Sequence, residues 1–204
     1  MDASVDLYWI PLGAGAHSVR WNGLVYEAVA AAVQRRPRQD IYHSVLSIVL
    51  SDGHYMVEMT PVPDGSGASR GVVAEGPVGL RAAGGFRVFR YEVRRWRDGI
   101  VPDLAHAVAS PVRVTSDRST TQCVFDALPL VPTATWGRDE LSAGEMWTCN
   151  SIISWLLATA GVDLATIAMP DRARAPGWDA GRVVAARTPP KVAIGHFHTI
   201  VRES

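Results

Sequence analysis

One cysteine stands where a thiol could act as a nucleophile. Cys149 begins the segment 149–160, whose apolar residues recur at helical spacing, with Thr148 as N-cap and Gly161 as the stop. Unpaired N–H groups and the helix dipole favour a negative charge at a helix start, so a thiol there tends to have a lowered pKa. The alternative is a buried structural cysteine, the commoner role of this residue.

A cysteine nucleophile needs a base, and His43 is the first candidate. It lies in the β-branched and apolar segment 41–50, where an imidazole is costly unless it has a polar partner. The alternative role is a hydrogen-bonded histidine of the core or of a sheet edge. His196 and His198 share one face of a predicted strand and are the alternative base.

A base needs an orienting group, and Glu58 is the candidate. Segments 41–50 and 54–60 predict two antiparallel strands around an Asp52-Gly53 turn. Symmetric pairing about this turn places Glu58 opposite Ser47, so a bulge or a third strand would have to bring Glu58 to the histidine. An exposed strand carboxylate is the alternative.

Other chemistry is weakly indicated. Two histidines on one strand face can ligate a metal, but no cysteine or carboxylate with matching spacing lies near His196 and His198, so we expect no metal and no cofactor. The glycines form neither a phosphate-binding loop nor a Gly-x-Ser-x-Gly elbow, which argues against nucleotide and serine hydrolase chemistry.

Composition limits the class of protein. The 204 residues are 48% hydrophobic, and 20 basic residues balance 20 acidic ones. We therefore expect a single domain over 1–204 with an irregular C-terminal segment 165–204, and no nucleic-acid partner. The Arg-rich segment 87–97 is predicted to be a solvated strand face paired with acids, with anion binding as the alternative.

The remaining expectations concern location and local structure. Two cysteines, no signal sequence and no apolar run long enough to span a membrane favour a cytoplasmic protein. The pattern also predicts strands at Leu7–Pro11, 86–96 and 192–201, helices at 24–35 and 119–128, a loop at 63–85, weak order at 102–120 and irregular chain at 171–190.

The order of these features resembles that of circularly permuted papain-like thiol hydrolases, which include permuted NlpC-type peptidases, lecithin:retinol acyltransferase-like proteins and desumoylating isopeptidases. Segment 42–48 looks like their histidine strand, and 147–157 looks like their cysteine helix. The resemblance implies an α+β fold with an antiparallel sheet packed with helices. It also implies a peptide, amide or acyl substrate, with Cys149 as nucleophile, His43 as base and Glu58 as third residue. A catalytically inactive binding or scaffold domain on the same fold is the alternative.

Overall fold

A computed structural model describes residues 2–12, 39–62 and 71–187. This part of the chain contains seven strands and three α-helices. In chain order these are β1 (Ser4–Pro11), β2 (Asp40–Leu50), β3 (Gly53–Pro61), β4 (Val72–Pro77), β5 (Arg90–Arg97), β6 (Val108–Thr115), α1 (Arg118–Ala127), α2 (Cys149–Thr159), β7 (Ala173–Arg174) and α3 (Trp178–Arg187). The predicted helix 24–35 and strand 192–201 lie outside the described residues.

An antiparallel sheet organises the molecule. Its strand order is β4-β5-β3-β2-β1-β6, and every neighbouring pair on this path is antiparallel. The short strand β7 pairs in parallel with the start of β2. The α+β class with an antiparallel sheet and packed helices is therefore confirmed.

The β2–β3 hairpin has a different turn from the predicted one. Leu50 pairs with Gly53, so Ser51 and Asp52 form the turn and Gly53 is already a strand residue. A Cβ on Gly53 would lie 2.9 Å from the Arg97 side chain, which donates a hydrogen bond to the Asp52 carbonyl. The glycine therefore serves a close side-chain approach rather than the turn itself.

The sheet has two differently covered faces. On what we call the helix face, Tyr42, Leu46 and Ile48 of β2 join the main core with the three α-helices. On the opposite face, Val45 of β2 joins a smaller cluster. That cluster also contains Ile10, Met56 and Val101, with Leu104 and Ala107 packed against it. Side chains therefore alternate between the two faces along β2, as in any regular strand.

Two segments are more ordered than their sequences predicted. Strand β4 lies within the predicted loop 63–85 and pairs with β5. The Tyr91 side chain packs directly on Gly76, since a Cβ on this glycine would lie 2.4 Å from it. Helix α3 lies within 171–190, so the prediction of an irregular segment over 165–204 is wrong over Trp178–Arg187. The single-domain prediction over 1–204 stays a prediction.

Most other local predictions are confirmed. Strand β1 includes Leu7–Pro11, and the helices predicted at 119–128 and 149–160 are α1 and α2. Strand β5 begins only at Arg90, since 87–89 form a short 3₁₀ turn. The weakly patterned segment 102–120 contains the 3₁₀ turn Pro102–His106 and the edge strand β6.

Candidate active site

The candidate site is built on the first turn of α2. The Thr148 N–H donates to Ser151 Oγ over 2.9 Å, so the side chain of the third helical residue caps the helix start. Cys149 is the first helical residue, as its sequence context predicts, and it is buried in the main core.

Burial dominates the chemistry of the Cys149 thiol. It raises the pKa of Cys149 to about 11, against smaller opposing effects of the backbone N–H groups of Ser44, Asn150 and Cys149 itself. The thiol sulfur lies 4.0 Å from Asn150 Oδ1. Burial therefore outweighs the N–H groups at the helix start, and the thiol is neutral at physiological pH.

Asn150, next to the cysteine, ties three parts of the chain together. Its Nδ2 donates to the carbonyls of Tyr42, at 3.0 Å, and Pro176, at 3.1 Å. Its Oδ1 accepts a hydrogen bond from Ser44 Oγ at 2.8 Å. This buried amide thus joins α2 to β2 and to the chain before α3, and its polar atoms are used in holding the fold together.

The chain before α3 closes over the start of α2 at very short range. Thr148 Oγ1 donates to the Pro176 carbonyl over 2.7 Å. Gly177 has φ +85°, and a Cβ there would lie 2.4 Å from Ser151 Oγ. In α3, a Cβ on Gly181 would lie 2.0 Å from the Ser151 carbonyl oxygen. Two glycines therefore let this segment cover the helix end at which substrate would have to approach.

His43 lies on the opposite face of the sheet from Cys149. Its neighbours Tyr42 and Ser44 belong to the helix face, where Ser44 reaches Asn150, whereas Val45 belongs to the opposite face. Strand alternation places His43 with Val45. Burial lowers the pKa of His43 to about 4, and the Asp103 carboxylate opposes this shift. The predicted pairing of His43 with Cys149 is therefore corrected: the sheet separates the two side chains.

Glu58 forms an ion pair with a buried arginine. It shares the opposite face with His43, because Val57 and Met59 of β3 belong to the main core and Met56 to the smaller cluster. Glu58 Oε1 lies 3.3 Å from Nη1 of the buried Arg94, whose Nε also donates to Glu92 over 2.9 Å. Among the described residues, Glu58 thus belongs to this network on the face away from Cys149, and its role as the third catalytic residue stays a prediction.

The Arg-rich segment pairs with acids, as predicted, but it is not uniformly solvated. Arg90 forms an ion pair with Glu75 on the same face as the Arg94 network. Arg95 lies on the other face, 4.5 Å from the centre of the Phe125 ring. Only part of 87–97 is thus the solvated face that the sequence predicts.

A different histidine does meet a hydroxyl group. Ser47 Oγ and His54 Nε2 are 2.8 Å apart on neighbouring strands of the opposite face. A serine hydrolase would also need a carboxylate to orient this histidine. The nearby Asp6, paired with Ser47 in the sheet, instead binds Arg113 through Oδ1 and Nε, 2.5 Å apart. The contact between Ser47 and His54 therefore serves to join β2 and β3.

A cleft of about 700 Å³ lies away from the thiol. Ala158 and Gly161 at the C-terminal end of α2 line one side, and Trp178, Asp179 and Arg182 of α3 line another. Cys149, at the opposite end of α2, is not among the lining residues.

The alternative ligands and bases lie largely beyond the described part. His196 and His198 fall outside residues 2–12, 39–62 and 71–187. Within those ranges no group of three or more histidine, cysteine or acidic side chains could hold a metal. No helix in them is long and apolar enough to cross a membrane. Comparison of the chain with family models, curated proteins and solved structures finds no match.

Sequence reasoning missed the two polar residues that matter most at the helix start. Asn150 and Ser44 carry the buried hydrogen bond between α2 and β2. A signal was present, since polar residues at 150, 151 and 154 interrupt an apolar helix that is buried on every side over its first nine residues. Buried polar groups at such positions need partners, so the pattern predicts a close approach by another segment.

Proposed function

We propose that this chain is a non-catalytic binding domain. The observation that carries the proposal is the separation of Cys149 and His43 by the central sheet. In addition, both the thiol and the imidazole are neutral at physiological pH. A thiolate–imidazolium pair needs the two groups in contact and charged. Two further observations support the proposal. The Asn150 amide beside the thiol is already hydrogen-bonded within the fold, and the cleft of about 700 Å³ lies away from Cys149.

The fold that we propose for this domain is the circularly permuted papain-like one. Its support is the chain order, in which the β2–β3 hairpin precedes a helix that begins with a cysteine and packs on β2. Loss of the catalytic pair is compatible with such a fold, because architecture can outlast activity. A cytoplasmic location, expected from the cysteine content, is part of the same proposal.

The test is the pH dependence of iodoacetamide labelling, read residue by residue by mass spectrometry. Cys123, which is half-buried, is the internal control for the buried Cys149. We expect Cys149 to label more slowly than Cys123 in the folded protein, because its sulfur is enclosed and protonated. His43→Ala should leave the Cys149 rate unchanged.

A reactive thiol would overturn the proposal. The decisive result would be an apparent pKa for Cys149 below the free-thiol value of about 8.5 that disappears in a histidine variant. His196→Ala and His198→Ala belong in the same series, since both histidines follow the cysteine in sequence and were the alternative base. Turnover of acyl or peptidyl esters that is lost in Cys149→Ala would carry the same meaning.

A further inference from the structure

The connection between β4 and β5 holds large apolar side chains in solvent. We call residues 80–89 the projecting loop. Its exposed apolar residues are Leu80 (60% exposed), Phe86 (69%), Val88 (70%) and Phe89 (47%). Scattered single apolar residues are normal on a surface, but four within ten residues form the kind of patch that marks an interaction site.

The projecting loop is ordered by its own backbone. The N–H groups of Ala83, Phe86 and Phe89 donate to carbonyls three residues earlier, at 3.0 Å each, which gives two successive 3₁₀ turns. Its base is fixed by the Gly79 N–H, which donates to the Trp136 carbonyl over 2.9 Å. The exposed side chains are therefore held outward by a hydrogen-bonded frame.

Every charged residue in the segment around these side chains is an arginine. Residues 78–91 contain Arg81, Arg87 and Arg90 and neither aspartate nor glutamate. Arg81 pairs with Glu140 and Arg90 with Glu75 at the margin of the loop. Arg87 lies between Phe86 and Val88, is exposed, and forms no ion pair within the described part of the chain. The apolar tip thus carries a cation at its centre.

We infer that the projecting loop docks on an anionic lipid surface. Apolar side chains with an interspersed cation match the boundary between acyl chains and negatively charged headgroups. Arg87 is the only polar side chain in 82–89, so the tip offers a protein groove a single polar side chain. Acyl chains need no such partners.

This inference deepens the proposed function, because it names the surface and the partner of the binding domain. The two can fail separately. Cysteine labelling tests the absence of thiol chemistry, and vesicle binding tests the loop. A reactive Cys149 would leave the lipid inference intact, and absence of vesicle binding would leave the labelling result intact.

The experiment is co-sedimentation of the full chain with vesicles of phosphatidylcholine, with or without phosphatidylglycerol as the anionic lipid. We expect binding to the anionic vesicles that weakens with salt. Phe86→Ser/Val88→Ser should lower the partition coefficient by about tenfold or more, because two apolar side chains no longer enter the bilayer. Arg87→Gln should lower it about fivefold on anionic vesicles and leave binding to neutral vesicles unchanged.

The matched control is Ile100→Ser/Leu130→Ser, which removes two exposed apolar side chains elsewhere (77% and 56% exposed). It should bind like the wild type, and all variants should melt like it, since the altered side chains lie in solvent. Failure of the wild type to bind anionic vesicles would overturn the inference, as would equal losses in the loop and control variants. Self-association or inorganic phosphate binding that depends on the loop, without vesicle binding, would assign it to a second copy or to a free anion instead.

Discussion

His43 of the sheet and Cys149 of α2 lie on opposite sides of the sheet. Strand β2 presents Ser44 to the start of α2 and His43 to the other face, where Asp103 of the turn Pro102–His106 acts on the imidazole. The sheet thus separates two buried groups. Burial penalises the charged form of each, so it lowers the pKa of His43 and raises the pKa of Cys149. Each group consequently makes its own contribution to the pH dependence of folding.

His43 predicts a loss of stability in mild acid. Its folded-state pKa of about 4 lies below the ordinary value of 6.5, so between these pH values the unfolded chain binds the extra proton. The contribution of neutral His43 is complete above pH 6.5 and falls as the pH drops toward 4, by at most about 3 kcal/mol. Urea unfolding of wild type and His43→Gln across this range should show a shallower pH slope in the variant.

The matched control for His43 is His106→Gln, because His106 is exposed at the end of the same turn. That variant should keep the wild-type slope. Equal slopes for wild type and His43→Gln would contradict a buried neutral imidazole at this position.

We expect substitution of Asn150 to lower the free energy of unfolding substantially. Asn150→Ala removes three hydrogen bonds and leaves the Tyr42 and Pro176 carbonyls and the Ser44 hydroxyl without this partner. We expect a loss of about 2–4 kcal/mol in the free energy of unfolding, because the groups left behind are buried. Chemical denaturation measures it directly.

The control for Asn150 removes an amide hydrogen bond from a solvated helix. Gln122 Nε2 donates to Asp126 over 2.9 Å on the exposed side of α1. Gln122→Ala should change the stability by no more than about 0.5 kcal/mol. A similarly small effect of Asn150→Ala would show that the start of α2 does not depend on the three Asn150 hydrogen bonds.

Gly181 tests how closely α3 approaches α2. Alanine is normally preferred over glycine within a helix by about 1 kcal/mol. At position 181, however, the new Cβ would lie 2.0 Å from the Ser151 carbonyl oxygen, so Gly181→Ala should destabilise by about 1–3 kcal/mol. Thermal unfolding of this variant against the wild type is the measurement.

Gly161→Ala separates crowding from backbone strain. Gly161 ends α2 with φ +82°, and nothing lies within 4 Å of a Cβ built there. Its substitution should cost about 1–2 kcal/mol from conformation alone. Gly177→Ala combines both effects and should cost more than Gly161→Ala; the reverse order would contradict the close packing at the start of α2.

Elements governed by local chemistry were predictable from the sequence. Helix α2 begins and ends where Thr148 and Gly161 indicate, and the β2–β3 hairpin joins two apolar runs. The exact turn was not predictable, because Gly53 looks like a turn glycine and its actual constraint comes from Arg97, far along the chain. The same holds for Gly76, Gly177 and Gly181, which mark close approaches inside ordered structure.

The face on which His43 lies could not be predicted for a related reason. Strand β2 is apolar on both sides, since Leu46 and Ile48 enter the main core and Val45 enters the smaller cluster. A strand buried on both faces shows no polar alternation in its sequence. Which side receives the cysteine helix therefore depends on packing across the whole sheet, and the resemblance to thiol hydrolases supplied an order of residues without that geometry.

The network of Glu58, Glu92 and Arg94 gives the last prediction. The Arg94 side chain is only 5% exposed and contacts both carboxylates. Arg94→Ala should cost about 3–5 kcal/mol, because it leaves buried negative charge behind. Arg90 provides the control on the same strand, since its pair with Glu75 is far more exposed, at 38% and 37%, and Arg90→Ala should cost no more than about 1 kcal/mol. The triple variant Arg94→Met/Glu58→Gln/Glu92→Gln should recover most of the loss by removing the charges together. Denaturant midpoints for the four proteins decide the matter: equal effects of Arg94→Ala and Arg90→Ala would mean that Glu58 is an ordinary solvated carboxylate and has no part in a buried network.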